Sequence, residues 1–328
     1  MNSLKNSGRW IIIILAASLA FLGARVSARA QEVREINRRP FYVPHEVFAP
    51  DAGDGDIGRD SCFAVTPEDN ICLYSNALNR LYLFDPRGAL IKKNDFRDYN
   101  YSGEPLAISD IAASPKGGFY LLESRRAKII FVSIDLKITD FRVESEVFAP
   151  GFLFLPAEAR CDGNGNLIVY EAPAKTSRLF SGAGLSPAAS FKTRVVPAET
   201  SAAGFSYYSV TFEGSTLEIT VNSPEGSRLF GVQRYAGYID GVFMAEATPS
   251  GGFTAGIRTI TNDRYEFHIL ELGENAAVKS SAPVKLSGCS VGKAARDSAG
   301  KILTLLAREN EPGRPVIAEL RKKKPAED

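Results

Sequence analysis

Histidine is almost absent from this chain. Of its 328 residues only His45 and His268 are histidine. Two imidazoles exclude a multi-histidine metal centre, and neither stands beside a nucleophile signature that would make a serine triad. The nucleophile elbow G-x-S-x-G, the phosphate-binding loop and H-E-x-x-H are all missing. Cysteine is scarce too: Cys62, Cys72, Cys161 and Cys289 make four, with no C-x-x-C spacing. That excludes zinc-ribbon and thioredoxin patterns. An exported chain has the chance to oxidise them. Cys62 and Cys72 flank one turn and are expected to sit diagonally, Cys62 facing about position 75, so small buried apolar roles are expected for most of the four.

An excess of either charge is also lacking. The formal net charge is +1. Residues 1–30 hold Lys5, Arg9, Arg25 and Arg29 and no acid, so the rest has 35 basic and 38 acidic residues, net −3. This is not the footprint of a nucleic-acid binder. The run Arg321 to Lys324 reads as part of a solvated end, the tail being 322–328.

Long apolar runs are confined to the start. Lys5 and Arg9 precede Trp10–Leu22, a charge-free stretch of 13 residues, and Ala28-Arg29-Ala30 follows. That layout predicts a signal peptide over 1–30, cut before Gln31, with 31–40 a linker. The alternative is a retained anchor, but a spanning helix needs about 20 apolar residues. The expected location is periplasmic or secreted, with no membrane span after cleavage.

Short strands between turns fill the rest. Val65 to Gly88 (VTPEDNICLYSNALNRLYLFDPRG) holds a turn, an apolar run, a polar loop, a second run opened by Arg80, and an Asp-Pro-Arg-Gly turn. Turns like its first start at Thr66, Ser114, Asp162, Phe212, Thr248 and Asp297, at intervals of 48, 48, 50, 36 and 49. A basic residue opening a further strand steps with them: Arg80, Lys128, Arg178, Arg228, Arg264 and Arg314, at 48, 50, 50, 36 and 50. Ser177–Phe180 and Ser227–Phe230 are the same word, SRLF, 50 residues apart. A period of roughly 40–50 residues with several strands per unit predicts an all-β, six-bladed β-propeller of four-stranded antiparallel blades over 41–321. A β-sandwich is the competing fold, but its turns recur at about 8–12 residues. The basic residues are expected on one rim, stems packed and heads in water.

The last unit lacks an outer strand, and Phe41–Phe48 precedes the first, so this N-terminal strand is expected to close the ring. Glu-Val-Phe-Ala-Pro at 46–50 and 146–150 is consistent with equivalent crossings between blades. In the irregular fourth unit, an outer strand is expected around Ala189–Val195 and an inner one over Phe205–Phe212.

Asn79-Arg80-Leu81, Phe84-Asp85 and Gly88 resemble the NHL-repeat pattern. The match is full in the first unit only; Ala127-Lys128 replaces Asn-Arg in the second. The resemblance is to the NHL/TolB-like six-bladed superfamily, over about residues 41–321. It implies the fold and little about activity.

Two acidic, glycine-rich stretches, Asp51–Asp60 and Asp162–Asn166, fail EF-hand spacing and read as turns. Asp60, Asp110, Glu158 and Asp240 precede turn markers and are candidates for the channel at the axis. Four converging carboxylates would repel or hold a cation, resembling the metal site of gluconolactonase-like lactonases. Their offsets from the turns differ, six, four, four and eight residues, so at most Asp110 and Glu158 are expected at one height. No catalytic residue, metal ligand or cofactor is assigned; a divalent cation enters only if the acids converge. The sequence therefore points to a protein- or peptide-binding module of the cell envelope, with a metal-dependent hydrolase or lactonase, or a structural scaffold, as alternatives. It leaves the partner's identity and the oligomeric state open.

Overall fold

The computed structural model describes residues 41–50, 61–99, 104–125, 128–143, 157–171, 174–181, 185–198, 206–287, 289–311 and 314–323. The signal-peptide and linker readings, Asp51–Asp60 and the second Glu-Val-Phe-Ala-Pro lie outside them. The chain divides into two units: Tyr42–Arg321, described next, and the chain ends, Met1–Phe41 with Lys322–Asp328. Among the described residues no helix is long and apolar enough to cross a membrane.

Tyr42–Arg321 is a ring of six four-stranded antiparallel blades. Blade 1 is β2 (Cys62–Val65), β3 (Ile71–Ser75), β4 (Arg80–Phe84) and β5 (Leu90–Asp95). Blade 2 is β6 (Ile108–Ala113), β7 (Phe119–Glu123), β8 (Lys128–Val132) and β9 (Ile138–Val143). Blade 3 is β10 (Ala157–Cys161), β11 (Leu167–Glu171), β12 (Thr176–Ser181) and β13 (Ser186–Phe191). Blade 4 is β14 (Arg194–Pro197), β15 (Tyr207–Glu213), β16 (Thr216–Ser223) and β17 (Gly226–Arg234). Blade 5 is β18 (Tyr238–Ala247), β19 (Phe253–Thr261), β20 (Arg264–Leu272) and β21 (Val278–Pro283). Blade 6 is β22 (Cys289–Arg296), β23 (Ile302–Arg308), β24 (Val316–Lys323) and, from the other end of the sequence, β1 (Phe41–Phe48). The N-terminal strand thus supplies the outer strand of blade 6, as the short last unit requires. β24 runs two residues beyond the expected boundary at 321.

The inner strands end in turns whose sequence explains their geometry. The first residue of each closes the turn by a backbone bond: Thr66 N–H to Asn70 O, Ser114 to Gly118, Asp162 to Asn166, Thr248 to Gly252, Asp297 to Lys301, all 2.9–3.0 Å. Side chains of Thr, Ser and Asp accept a second amide there, as Asp297 does from Lys301 N–H at 2.7 Å. The sixth member of the set is Ala198 N–H to Ser206 O at 3.0 Å, not the turn at Phe212. Phe212 belongs to the next hairpin, between β15 and β16, so the short interval of 36 residues falls between Asp162 and Ala198.

The basic markers divide for the same reason. Arg80, Lys128 and Arg264 open third strands; Arg178 is the third residue of β12, and Arg314 stands just before β24. Arg228 lies in β17, the fourth strand of its blade, so the two SRLF words occupy different places. Alternating residues specify a strand, not its position in a blade. Nor do all six carry their heads into water: Lys128 is buried at 8 % exposure. The stretch expected as one outer strand splits at Lys192–Thr193 into β13 and β14, and Phe205–Phe212 corresponds to the second strand, β15.

Each blade is apolar on both faces, and neighbouring blades bury those faces against each other. Six apolar clusters result, one per seam. Between blades 6 and 1, Phe48, Phe63, Tyr82 and Phe84 pack with Leu303 and Ile317. Among described residues the seam between blades 3 and 4 is the smallest, with Ile168, Leu179 and Val195 buried. This packing leaves β2, β6, β10, β14, β18 and β22 to line the axis.

Candidate functional site

The axial strands carry small and charged residues among apolar ones. CFAV, ISDIAA, AEARC and RVVP line four blades, and β18 and β22 end in AEA and AAR. Alanines let the strands approach, and alternate side chains point at the axis. At the turn end these strands open into a funnel of about 530 Å³. Its wall is Ala64, Ala113, Ala159, Ala247 and Ala295; Pro67, Pro115, Pro197 and Pro249 stiffen the mouth. Arg160, Glu246, Lys293 and Arg296 reach into it.

Below the mouth of the funnel, ion pairs link the axial strands of different blades. Lys293 Nζ, from blade 6, donates to Asp110 Oδ1 of blade 2 at 2.6 Å and to Ile111 O at 2.9 Å. Asp110 also accepts Ile111 N–H at 2.9 Å and Ala159 N–H, from blade 3, at 2.8 Å. Its side chain is only 4 % exposed. Burial pushes the Asp110 carboxyl above its usual range; Lys293 and the Ala159 amide oppose the shift. Glu158 of blade 3 pairs with Arg194 of blade 4, whose Nη1 also donates to Val242 O of blade 5 at 2.6 Å. Arg194 is 5 % exposed and lies over the Tyr170 ring at 5.6 Å. Burial pulls its pKa down, and Glu158 opposes that.

Arg160 is placed differently. Its guanidinium stands 3.7 Å from Glu246 Oε1 of blade 5 and 3.9 Å from Glu158 Oε2. Both exceed hydrogen-bond length. Glu246 is pushed upward by burial, with Arg160 and Arg296 opposing. Arg296 donates to Gly300 O at 2.7 Å and to Thr254 Oγ1, and its buried Nε has no hydrogen-bond partner among the described residues.

Of the candidate channel acids, Asp110 and Glu158 come to the axis on neighbouring strands, each facing a base. Asp240 is at the other end of β18, paired within blade 5 to Arg258 Nη2 at 2.5 Å. Asp60 lies outside the described residues. Among the described residues no group of three or more His, Cys, Asp or Glu side chains is arranged to hold a metal ion. Asp162 spends its oxygens on its own turn, accepting Asn164 N–H at 2.9 Å and Asn166 N–H at 2.8 Å.

The histidines are far from this chemistry. His45 is exposed on β1, and His268 lies on β20 against Tyr235, its pKa lowered by burial. All four cysteines are free thiols. Cys62 pairs with Tyr74 and Cys72 with Ala64, so the two thiols share one face diagonally, a residue from the expected register. Burial pushes the Cys161 thiol up to about 12, which keeps it from acting as a thiolate at neutral pH.

The sequence reading missed Arg160, Arg194, Glu246, Lys293 and Arg296. Its signal was there: ionisable residues in mid-strand among alanines, as in Ala-Glu-Ala-Arg over 157–160.

No model of a protein family and no curated protein matches the chain. Solved structures do. Hydrazine synthase of Kuenenia stuttgartiensis superposes with a TM-score of 0.53 at 10% identity, covering 78% of each chain. Virginiamycin B lyase of Staphylococcus aureus gives 0.52 at 10%, covering 85% of this chain and 99% of that one. A gluconolactonase of Xanthomonas campestris gives 0.52 at 11%, covering 85% and 95%. At such identities the likeness is one of fold.

Proposed function

We propose that this is an exported propeller of the NHL/TolB-like kind that binds a peptide or protein segment in its axial funnel, in the periplasm or outside the cell. The observation that carries the reading is the funnel itself. It is concave, walled by alanine and proline, and footed by a few convergent charged groups, which is the composition of a recognition site. The prolines fix the turns that carry the mouth, so little order is lost on binding. The export half rests on the leader pattern of residues 1–30. A metal-dependent hydrolase or lactonase would need oxygen ligands converging on one point, whereas the described axial acids face bases.

The test uses the funnel's open side. A Cβ on Gly163 meets nothing within 4 Å, so Gly163→Trp places a ring at the mouth without disturbing the strands. An array of random dodecapeptides, half tethered by the N-terminus and half by the C-terminus, is probed with residues 31–328 and with this variant. The proposal expects a set of peptides retained by the parent and lost by the variant, at equal melting temperatures. No retained peptide, or equal retention by both, contradicts it.

A further inference from the structure

We propose that the funnel floor binds the carboxylate of a chain end, so that the segment taken up is a peptide's C-terminus. This deepens the binding reading above and rests on it. Two features of the axis carry it, its narrowing and its charge.

The funnel narrows onto ion pairs between the axial strands. Lys293 with Asp110 joins blade 6 to blade 2, skipping blade 1. Arg160 with Glu246 spans blades 3 and 5, skipping blade 4. A link between second neighbours in a six-membered ring is a chord, and these two run on opposite sides of the axis, in front of blades 1 and 4, so together they narrow the channel from both sides. The funnel's lining stops at Ile111, Arg160, Glu246 and Lys293 and does not reach Asp110, Glu158 or Arg194, so a mid-chain segment entering to this depth would have to double back. A terminus enters without that cost.

The charge selects which terminus. Among the described residues, four bases stand around the axis, Arg160, Arg194, Lys293 and Arg296, against three acids, Asp110, Glu158 and Glu246. β2 and β14 add no acid to the funnel wall, and Asp162 and Asp297 hold their own turns. Lys293 and Arg194 are taken by Asp110 and Glu158. That leaves Arg160 and Arg296 sharing Glu246. Among the described residues the Arg160 side chain, 16 % exposed, makes no hydrogen bond, and the buried Arg296 Nε has no partner. A buried donor such as Arg296 Nε is normally satisfied. A planar guanidinium matches a carboxylate by two parallel N–H···O bonds. A bound carboxylate would satisfy Arg160 and bring the described axial groups to charge balance; an ammonium end would add a fifth positive charge to them.

Isothermal titration with residues 31–328 tests this. The probes are peptides from the array, each as free acid and as C-terminal amide, together with N-acetyl-dialanine acid, its amide, and inorganic phosphate. The free acids are expected to bind about tenfold or more tightly than the amides. Arg160→Gln should remove that preference, leaving acid and amide alike, while Arg125→Gln, on an exposed pair outside the funnel, should keep it. Amides binding as well as acids overturn the inference and leave the peptide reading standing. A preference that survives in Arg160→Gln, or phosphate binding tighter than any acid, also overturns it. Loss of all peptide binding in the array strikes the parent reading instead.

Discussion

Lys293 and Asp110 are 183 residues apart in sequence and 2.6 Å apart in space. One sits on the inner strand of blade 6 and the other on that of blade 2, so their bond closes over blade 1 rather than along the ring. Through the Ala159 amide the same carboxylate ties in blade 3. A single buried group thus joins three blades at the axis.

Removing one partner should cost more than removing both. Asp110→Ala leaves the Lys293 ammonium facing three blades without its counter-ion, and should destabilise the fold by about 3–5 kcal/mol. Lys293→Met together with Asp110→Ala should restore part of that loss. Denaturant melts of the two single variants and the double one give the coupling directly. Strictly additive losses would mean the pair does not work as a unit.

Ring closure rests on Phe48 at the end of β1. It packs on Phe84 at 5.5 Å and fills the space against Gly88, where a Cβ would lie 2.4 Å from Phe48 Cγ. Phe48→Ala should lower stability by about 3 kcal/mol. Gly88→Ala should destabilise as well, because Gly88 has φ +88°. Deleting residues 31–48 should lower the melting temperature further than either. An unchanged melt after the deletion would remove β1 from the closure of the ring.

How far the sequence led can be judged blade by blade. The turn chemistry at Thr66, Ser114, Asp162, Thr248 and Asp297 is local, and local chemistry is legible. The counterpart at Ala198 has no Thr, Ser or Asp to mark it, and the Phe212 hairpin mimicked it. The axis was harder for another reason. Whether a mid-strand residue faces the axis or a neighbouring blade depends on register, and irregularities at Ile108/Asp110 and Val291/Ala294 shift it. Asp110 was visible as an acid before a turn. Its partner Lys293 was not, because only the ring brings β22 to β6.

Acid should weaken one surface clasp on blade 1. Asp95 accepts from Arg97 Nε at 2.8 Å and from Arg80 Nε at 3.0 Å, and these bonds hold its carboxyl well below the usual range. A depressed carboxylate stabilises fully above its unfolded pKa of about 4 and loses that contribution as pH falls toward the folded value. The gap in melting temperature between wild type and Asp95→Asn should therefore be full at pH 7 and narrower at pH 3. A gap that widens on acidification would reverse the assignment.

Export makes a mass prediction. Intact-mass spectrometry of the protein recovered from the envelope or medium should show a chain beginning at Gln31. A full-length chain that stays with the membrane would instead favour the retained anchor.

The measurement that bears most directly on the axial-site account is photo-crosslinking in the producing cell. A benzophenone amino acid is placed at Pro115, on the funnel mouth, or at Leu229, which is 61 % exposed on β17, the outer strand of blade 4. The account expects a discrete adduct from position 115 that weakens about tenfold when Arg160→Gln is added, and none from 229. An adduct from 229 with none from 115 would place binding on the outer strand and contradict it.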